Sequence, residues 1–199
     1  MKPIIAAFDF DGTITTKDML LSFLCQLNTR SENILNSIKL IPTLFAYKLG
    51  LISNHSAKQK LLSQFIQNFS LSDLQNIAEN FAKTKIPVYI RPDALERIRW
   101  HQAQKHQCIL ISAGLEIYLK PWAENMGFDQ IIATQLEVED QKTQGKIKGQ
   151  NCFGPEKVKR LLEIAGPREN FILYAYGDSR GDRELLAIAD YRFYQRMSE

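Results

Sequence analysis

Pro3-Ile4-Ile5-Ala6-Ala7-Phe8, running straight into Asp9-Phe10-Asp11-Gly12-Thr13, is the stretch that decides the fold. An unbroken apolar run of this length is the signature of a strand covered on both faces, as in a parallel sheet. It stops abruptly at two acids, a glycine and a hydroxyl. In open α/β sheets the carboxyl ends of the strands are where ligands bind.

Working outward, residues 18–85 read as helical. Leu20, Leu21, Phe23, Leu24 and Leu27 form one apolar face, and Leu61, Leu62, Phe65 and Ile66 form another. A third helix is predicted to begin at Ser72, which has capping-box spacing to Gln75. Beyond this block strands and helices alternate. A helix is expected at 92–105, a strand at 107–111 ending in Ser112-Ala113-Gly114, a helix at 115–126 and a short strand at 131–133. A hairpin around Gly145, a helix at 155–165, a strand at 171–176 ending in Gly177-Asp178-Ser179, a short helix at 183–189 and a last strand at 191–194 complete the chain. The order predicts an α/β fold: a doubly wound, mostly parallel sheet with a helical cap inserted after the first strand. The expected division is a core of residues 1–14 and 88–199 and a cap of 15–87.

The bulk properties narrow the classes. The chain has 199 residues, 45% hydrophobic, with 25 Lys and Arg against 22 Asp and Glu. A net charge of +3, scattered rather than clustered, gives no case for nucleic acid. Cys25, Cys108 and Cys152 fit no disulfide or zinc spacing and read as buried small hydrophobes in a reducing compartment. The apolar run at Ile4 is too short for a signal peptide, and no stretch approaches the roughly 20 residues that span a bilayer. A cytoplasmic monomer is the expectation.

Three strand ends carry polar groups: Asp9 and Asp11, then Ser112, then Asp178 and Asp182. A parallel sheet would bring them to one edge. Asp9 and Asp178 can hold a hard cation such as Mg2+, which prefers oxygen ligands. With phosphate charge neutralised, Asp9 can attack phosphorus and form an aspartyl-phosphate. Asp11 can then protonate the leaving oxygen and later take a proton from water. Ser112 and backbone N–H groups in Gly12-Thr13 and Ser112-Ala113-Gly114 can bind the phosphate oxygens. A lysine from the helix after Pro155 supplies the remaining positive charge, and Lys157, Lys159 and Arg160 are the cations there.

These residues resemble the haloacid dehalogenase superfamily of phosphatases. Asp9-Phe10-Asp11-Gly12-Thr13 is similar to its DxDGT signature and Ser112 to its second motif. Lys157 is similar to the third-motif lysine and Gly177-Asp178-Ser179-Arg180-Gly181-Asp182 to the fourth, GDxxxD. The resemblance implies that Asp9 and Asp178 bind Mg2+ through side chains and Asp11 through its carbonyl, with Asp182 supporting the metal site and Lys157. An insert between the first two motifs resembles subfamily IB, the phosphoserine phosphatase-like branch. Generic subfamily IB hydrolases and the phosphatidylglycerophosphatase C type look nearest. Phosphoserine phosphatases carry a glutamate nine residues after the nucleophile to read the substrate amine. Here that position is Asp18, one methylene shorter, so the expected substrate is a small-molecule or lipid phosphate.

Each motif also has a plainer reading. Ser112 could cap the following helix, and Asp182 could cap the helix at Arg183. His55, His101 and His106 read as surface or helix-face residues, and Trp100 and Trp122 as core. Residues 38–52 are very apolar. They read first as a buried cap helix, with peripheral membrane contact and a dimer contact as alternatives. Among functions, a phosphotransferase or mutase would share the aspartyl-phosphate. A receiver-like signalling domain has no place for the helical insert, and a non-catalytic phosphate-binding module would not need the full constellation.

Overall fold

The computed structural model describes residues 2–27 and 29–198, the side chains of 30–33 apart. The chain runs β1 (Ile4–Phe8), α1 (Leu20–Leu24), α2 (Arg30–Lys48), α3 (Asn54–Ile66), α4 (Leu71–Thr84), α5 (Pro92–Ala103), β2 (Gln107–Leu115) and α6 (Glu116–Asn125). It continues through β3 (Gln130–Thr134), β4 (Leu136–Glu139), β5 (Lys142–Ile147), α7 (Pro155–Ala165), β6 (Ile172–Gly177), α8 (Arg183–Ala187) and β7 (Tyr191–Tyr194). Five strands form one parallel sheet in the order β3-β2-β1-β6-β7, and β4 and β5 form a separate antiparallel hairpin. The sheet matches the expected α/β class.

β1 is central because both of its faces can be buried. Ile5 and Ala7 point into a layer under α7 and α8, with Leu161, Leu173 and Leu185. Ala6 and Phe8 point into the opposite layer with Leu110, Trp122, Phe128, Tyr176 and Phe193. This is the period-two consequence of a strand with no polar face. Phe8 stacks on Tyr176 with centroids 4.4 Å apart, and Tyr176 stacks on Phe193 at 4.7 Å.

α1 to α4 all fall between β1 and β2 in the chain. The β4–β5 hairpin ties them to the sheet side. Asn68 N–H donates to Thr143 O at 2.8 Å, Thr143 N–H to Phe69 O at 2.9 Å and Ile147 N–H to the Gln59 side chain at 3.0 Å.

Several expectations are corrected. α4 begins earlier than predicted: its cap is Ser70, which accepts from Asp73 N–H, because Ser72 already lies inside the first turn. β2 continues past Ile111 to Leu115, with an irregular register over Ser112-Ala113-Gly114 before pairing resumes at Thr134. Cys25 is exposed, unlike the buried Cys108 and Cys152. Trp100 is 41% exposed, lying against Arg97, whereas Trp122 is buried. His101 is fully buried, not a surface residue. Its Nε2 lies 2.8 Å from the Tyr176 hydroxyl and its Nδ1 2.8 Å from His106 Nδ1, which gives a buried imidazole the partners it requires.

The largest correction concerns residues 38–52. They are not a buried helix. Only Leu40 and Thr43 of α2 are buried among these, while Ile38, Ile41, Leu44 and Phe45 are 57% to 64% exposed. Composition announced an apolar helix, but only one stripe of a helix can meet the rest of the fold.

Phe8 has no exposed surface and anchors the aromatic stack. Phe8→Ala is expected to cost about 3–5 kcal/mol of stability, measured by urea unfolding. A loss below about 1 kcal/mol would show that the layer collapses around the gap.

Candidate active site

Each acidic residue of the site owes its place to the end of a strand. β1 stops at Phe8, so Asp9 is delivered to the sheet edge, and its N–H donates to Tyr176 O at 2.9 Å in β6. β6 stops at Gly177, which places Asp178 beside it. Gly12 makes the close approach feasible. Its φ is +80°, and a Cβ there would lie 2.1 Å from Asp178 Oδ2, so only glycine fits.

Lys157 arrives from the other side. Gly154 and Pro155 start α7, and Lys157 in its first turn shares the inward stripe with Leu161. Its side chain is 2% exposed, and its ammonium lies 2.6 Å from both Asp9 Oδ1 and Asp182 Oδ1. The rivals are excluded by position. Lys159 is a surface residue near Glu156 and Glu163, and Arg160 is occupied by Glu156, Ala133 O and Gln150 O.

Asp182 does not cap α8 with its side chain. Its carboxylate turns inward instead, where Oδ2 accepts from Asp178 N–H, Ser179 N–H and the Ser179 hydroxyl at 3.2, 3.1 and 2.9 Å. Asp182 therefore shapes the loop that carries Asp178. Thr13 donates its hydroxyl hydrogen to Asp9 Oδ2 at 3.1 Å. Ser112 does not cap α6 either. Its buried hydroxyl accepts from Gly114 N–H at 2.9 Å and holds the Ser112-Ala113-Gly114 turn.

All the candidates meet around one cavity of about 620 Å³. Asp9, Asp11, Gly12, Asp18, Ser112, Ala113, Gly114, Lys157 and Asp178 line it, while Thr13 and Asp182 support it from behind. Asp18 is exposed at the mouth and accepts from Leu20 N–H, and Asp11 accepts from Met19 N–H, both at 2.8 Å.

The electrostatics follow from burial. Burial pushes the Asp9 carboxyl up to about 6; Lys157 pulls it down, and Asp182 and Asp178 push it up again. Burial, then Asp18 and Asp9, hold the Asp11 carboxyl well above the usual carboxylate range. Both carboxyls are thus raised, and only Asp9 has an ammonium against it to favour its charged form. Burial opposes the Lys157 charge, but Asp9 and Asp182 outweigh it and keep the ammonium protonated.

Asp9, Asp178 and Asp182 each offer an oxygen, all within 4.8 Å of one another. Asp178 Oδ1 is buried with no hydrogen-bond partner. A carboxylate oxygen left orphaned beside two other acids has the character of a ligand for a hard divalent cation.

Two site residues were not anticipated from the sequence. Lys58 of α3 reaches across to donate to Ala113 O and, at 3.1 Å, to Asn151 Oδ1. Asn151 in turn donates to Asn54 Oδ1 at 2.5 Å. The signal for Lys58 was present: it shares the inward stripe of Leu62, Phe65 and Ile66. A lysine on an apolar stripe is there for a reason. Asn151 carries no comparable signal.

An α/β core with acids at the ends of β1 and β6, a serine turn at the end of β2, a buried lysine and inserted helices above them defines a class of enzyme-like chains. The haloacid dehalogenase-like hydrolase model matches residues 6–187, and the chain belongs to that family. Protein CicA of Caulobacter vibrioides is 34% identical over 195 residues, covering 98% of this chain and 86% of that one. The Mycobacterium tuberculosis protein named "Probable phosphatase Rv3661" is 25% identical over 189 residues, covering 91% of this chain and 64% of its own length. Among solved structures, a protein of unknown function from Bordetella pertussis superposes with a TM-score of 0.82 at 25% identity, covering 94% of this chain and 87% of that one. A phosphoserine phosphatase holding a phospho-aspartyl intermediate analogue superposes at 0.63 with 18% identity, covering 95% and 84%, which shows the same fold.

Lys58 supplies a stability prediction. Burial lowers its pKa from 10.5 to about 8, with Asp11 and Asp18 opposing. The folded value lies below the unfolded one, so the unfolded chain binds more protons between about pH 8 and 10.5. Keeping this charge folded costs on the order of 3 kcal/mol at pH 7, and the cost fades as pH rises through that window. Thr134 Oγ1 lies 2.9 Å from Ala113 O and 2.8 Å from Asn151 Oδ1, so its one hydroxyl hydrogen can serve one of these acceptors once Lys58 is gone. Lys58→Met is expected to be more stable than wild type at pH 7 in urea unfolding, the advantage shrinking toward pH 10. A less stable variant at pH 7 would show that the lysine's bonds outweigh its desolvation.

Proposed function

We propose that this chain is a Mg2+-dependent phosphomonoesterase that forms an aspartyl-phosphate, an acyl phosphate, on Asp9. The observation that carries the proposal is the pairing of Asp9, ion-paired to Lys157 at 2.6 Å, with Asp11 two residues away on the same cavity wall, where burial holds its carboxyl well above the usual carboxylate range. Family membership, the name of the mycobacterial relative and the fold shared with phosphoserine phosphatases support it.

In this reading an Asp9 carboxylate oxygen attacks phosphorus. The bond from phosphorus to the ester oxygen breaks, and Asp11 gives that oxygen its proton. Asp11, now a carboxylate, takes a proton from water as the water oxygen attacks phosphorus. Inorganic phosphate leaves and Asp9 is regenerated. Lys157 holds positive charge against the transferring group, while Ser112 keeps the Gly114 turn in place to receive phosphate oxygens. Asp9 and Asp178 would hold the Mg2+, with Asp182 behind them; the ion supplies charge that lets a carboxylate approach a phosphate dianion.

The cavity takes an organic group as well as a phosphate. Leu20, Leu40, Leu44 and Leu61 line it, with Lys17, Asp18, Tyr47, Asn54 and Lys58 among its polar contacts. We propose a small-molecule or lipid phosphate as substrate, which suits an apolar wall with few charges.

Turnover of p-nitrophenyl phosphate tests the reading. The wild-type chain is expected to be active with Mg2+ and inactive in excess chelator, and Asp9→Asn to lower kcat by at least about a thousandfold. Turnover undiminished by chelator would contradict the metal's role. Turnover retained in Asp9→Asn would contradict the nucleophile.

A further inference from the structure

α2 is built inside out. Leu40, Thr43 and Tyr47 share the stripe that lines the cavity. The opposite stripe is Ile34, Ile38, Ile41 and Phe45, spaced four, three and four, and it is 54% to 64% exposed. The more apolar face of this helix thus points away from the protein. Leu49 and Leu51, 57% and 73% exposed, carry the surface past the helix end. Leu21 and Leu44 are exposed too and also line the cavity, so the apolar surface runs to its mouth.

Charge along the chain just beyond Glu32 is one-signed. From residue 33 to residue 72 there is no Asp or Glu, although the chain has 22. Lys39, Lys48 and Lys60 are exposed in the same span. No helix among the described residues is long and apolar enough to cross a membrane. An apolar stripe flanked by lysines, with no acid from residue 33 to the helix end, has the character of a helix that lies in the headgroup plane of an anionic bilayer.

We propose that the outward face of α2 docks this protein on an anionic membrane surface. Ile34, Ile38, Ile41 and Phe45 enter the acyl boundary, Lys39 and Lys48 sit among the headgroups, and the cavity mouth is held at that surface. The docking goes beyond the phosphatase reading and does not depend on it.

Sedimentation of the whole chain with vesicles tests it. One set is phosphatidylcholine alone; the other contains phosphatidylglycerol. The wild type is expected to pellet with the anionic vesicles, and Ile41→Ser/Phe45→Ser to partition about tenfold less or weaker still. Both residues are exposed and neither lines the cavity, so p-nitrophenyl phosphate turnover of the double variant is expected to equal wild type. Phe45→Trp provides a second readout: its fluorescence is expected to shift to the blue on adding anionic vesicles. A wild type that stays in the supernatant with anionic vesicles would overturn the proposal, as would a double variant that pellets equally well. So would a wild-type dimer in size-exclusion chromatography that the double variant dissolves, since a second copy would then cover the face. A wild type that binds vesicles but turns over no ester would count against the phosphatase reading alone.

Discussion

The buried ammonium of Lys157, shared between Asp9 and Asp182, is the interaction on which the site depends. Carboxylates at the end of a central strand are desolvated, and uncompensated they would take up protons. Lys157 answers that problem for two of them at 2.6 Å each. Removing one partner of such a pair is typically strongly destabilising, about 3–5 kcal/mol, because the other charge remains buried. The same contact leaves one oxygen of Asp9 to Thr13 and one of Asp182 to the loop carrying Asp178. A single cation thus fixes the orientation of the whole acidic edge.

The fold exists around that edge. β1 sits between β2 and β6, at the point where the chain order of the sheet reverses, so its end is flanked by the ends of two strands that arrive from remote sequence. The inserted helices then close the site from above. Lys58 joins the two parts directly, its ammonium on the Ala113 carbonyl at the end of β2. It holds a charge where burial works against one, a cost in stability accepted at the site rather than in the core.

Much of this was legible in the residues. An apolar run that ends in Asp9-Phe10-Asp11-Gly12-Thr13 names its own strand, edge and glycine. Ser112 closes an apolar run of the same character, Asp178 and Asp182 come after another, and Lys157 follows a Gly-Pro helix start. Other features were not legible, for identifiable reasons. Residues 38–52 announce an apolar helix, but whether its apolar side faces in or out depends on what packs against it. His101 is a helix residue whose burial is set by Tyr176, 75 positions away. Ser70 and Ser72 both qualify as caps by type, and only the backbone decides between them. Asn151 is one loop asparagine among many until Lys58 and Thr134 are seen to meet it.

The central claim is that Asp9 carries the phosphoryl group between two half-reactions. The most direct measurement is mass spectrometry of the wild-type chain, acid-quenched within the first turnovers of p-nitrophenyl phosphate in Mg2+. The account predicts one phosphoryl group on the peptide containing Asp9, released by hydroxylamine as an acyl phosphate should be. Active enzyme that shows the group on a serine or histidine, or on no residue at all, would contradict it.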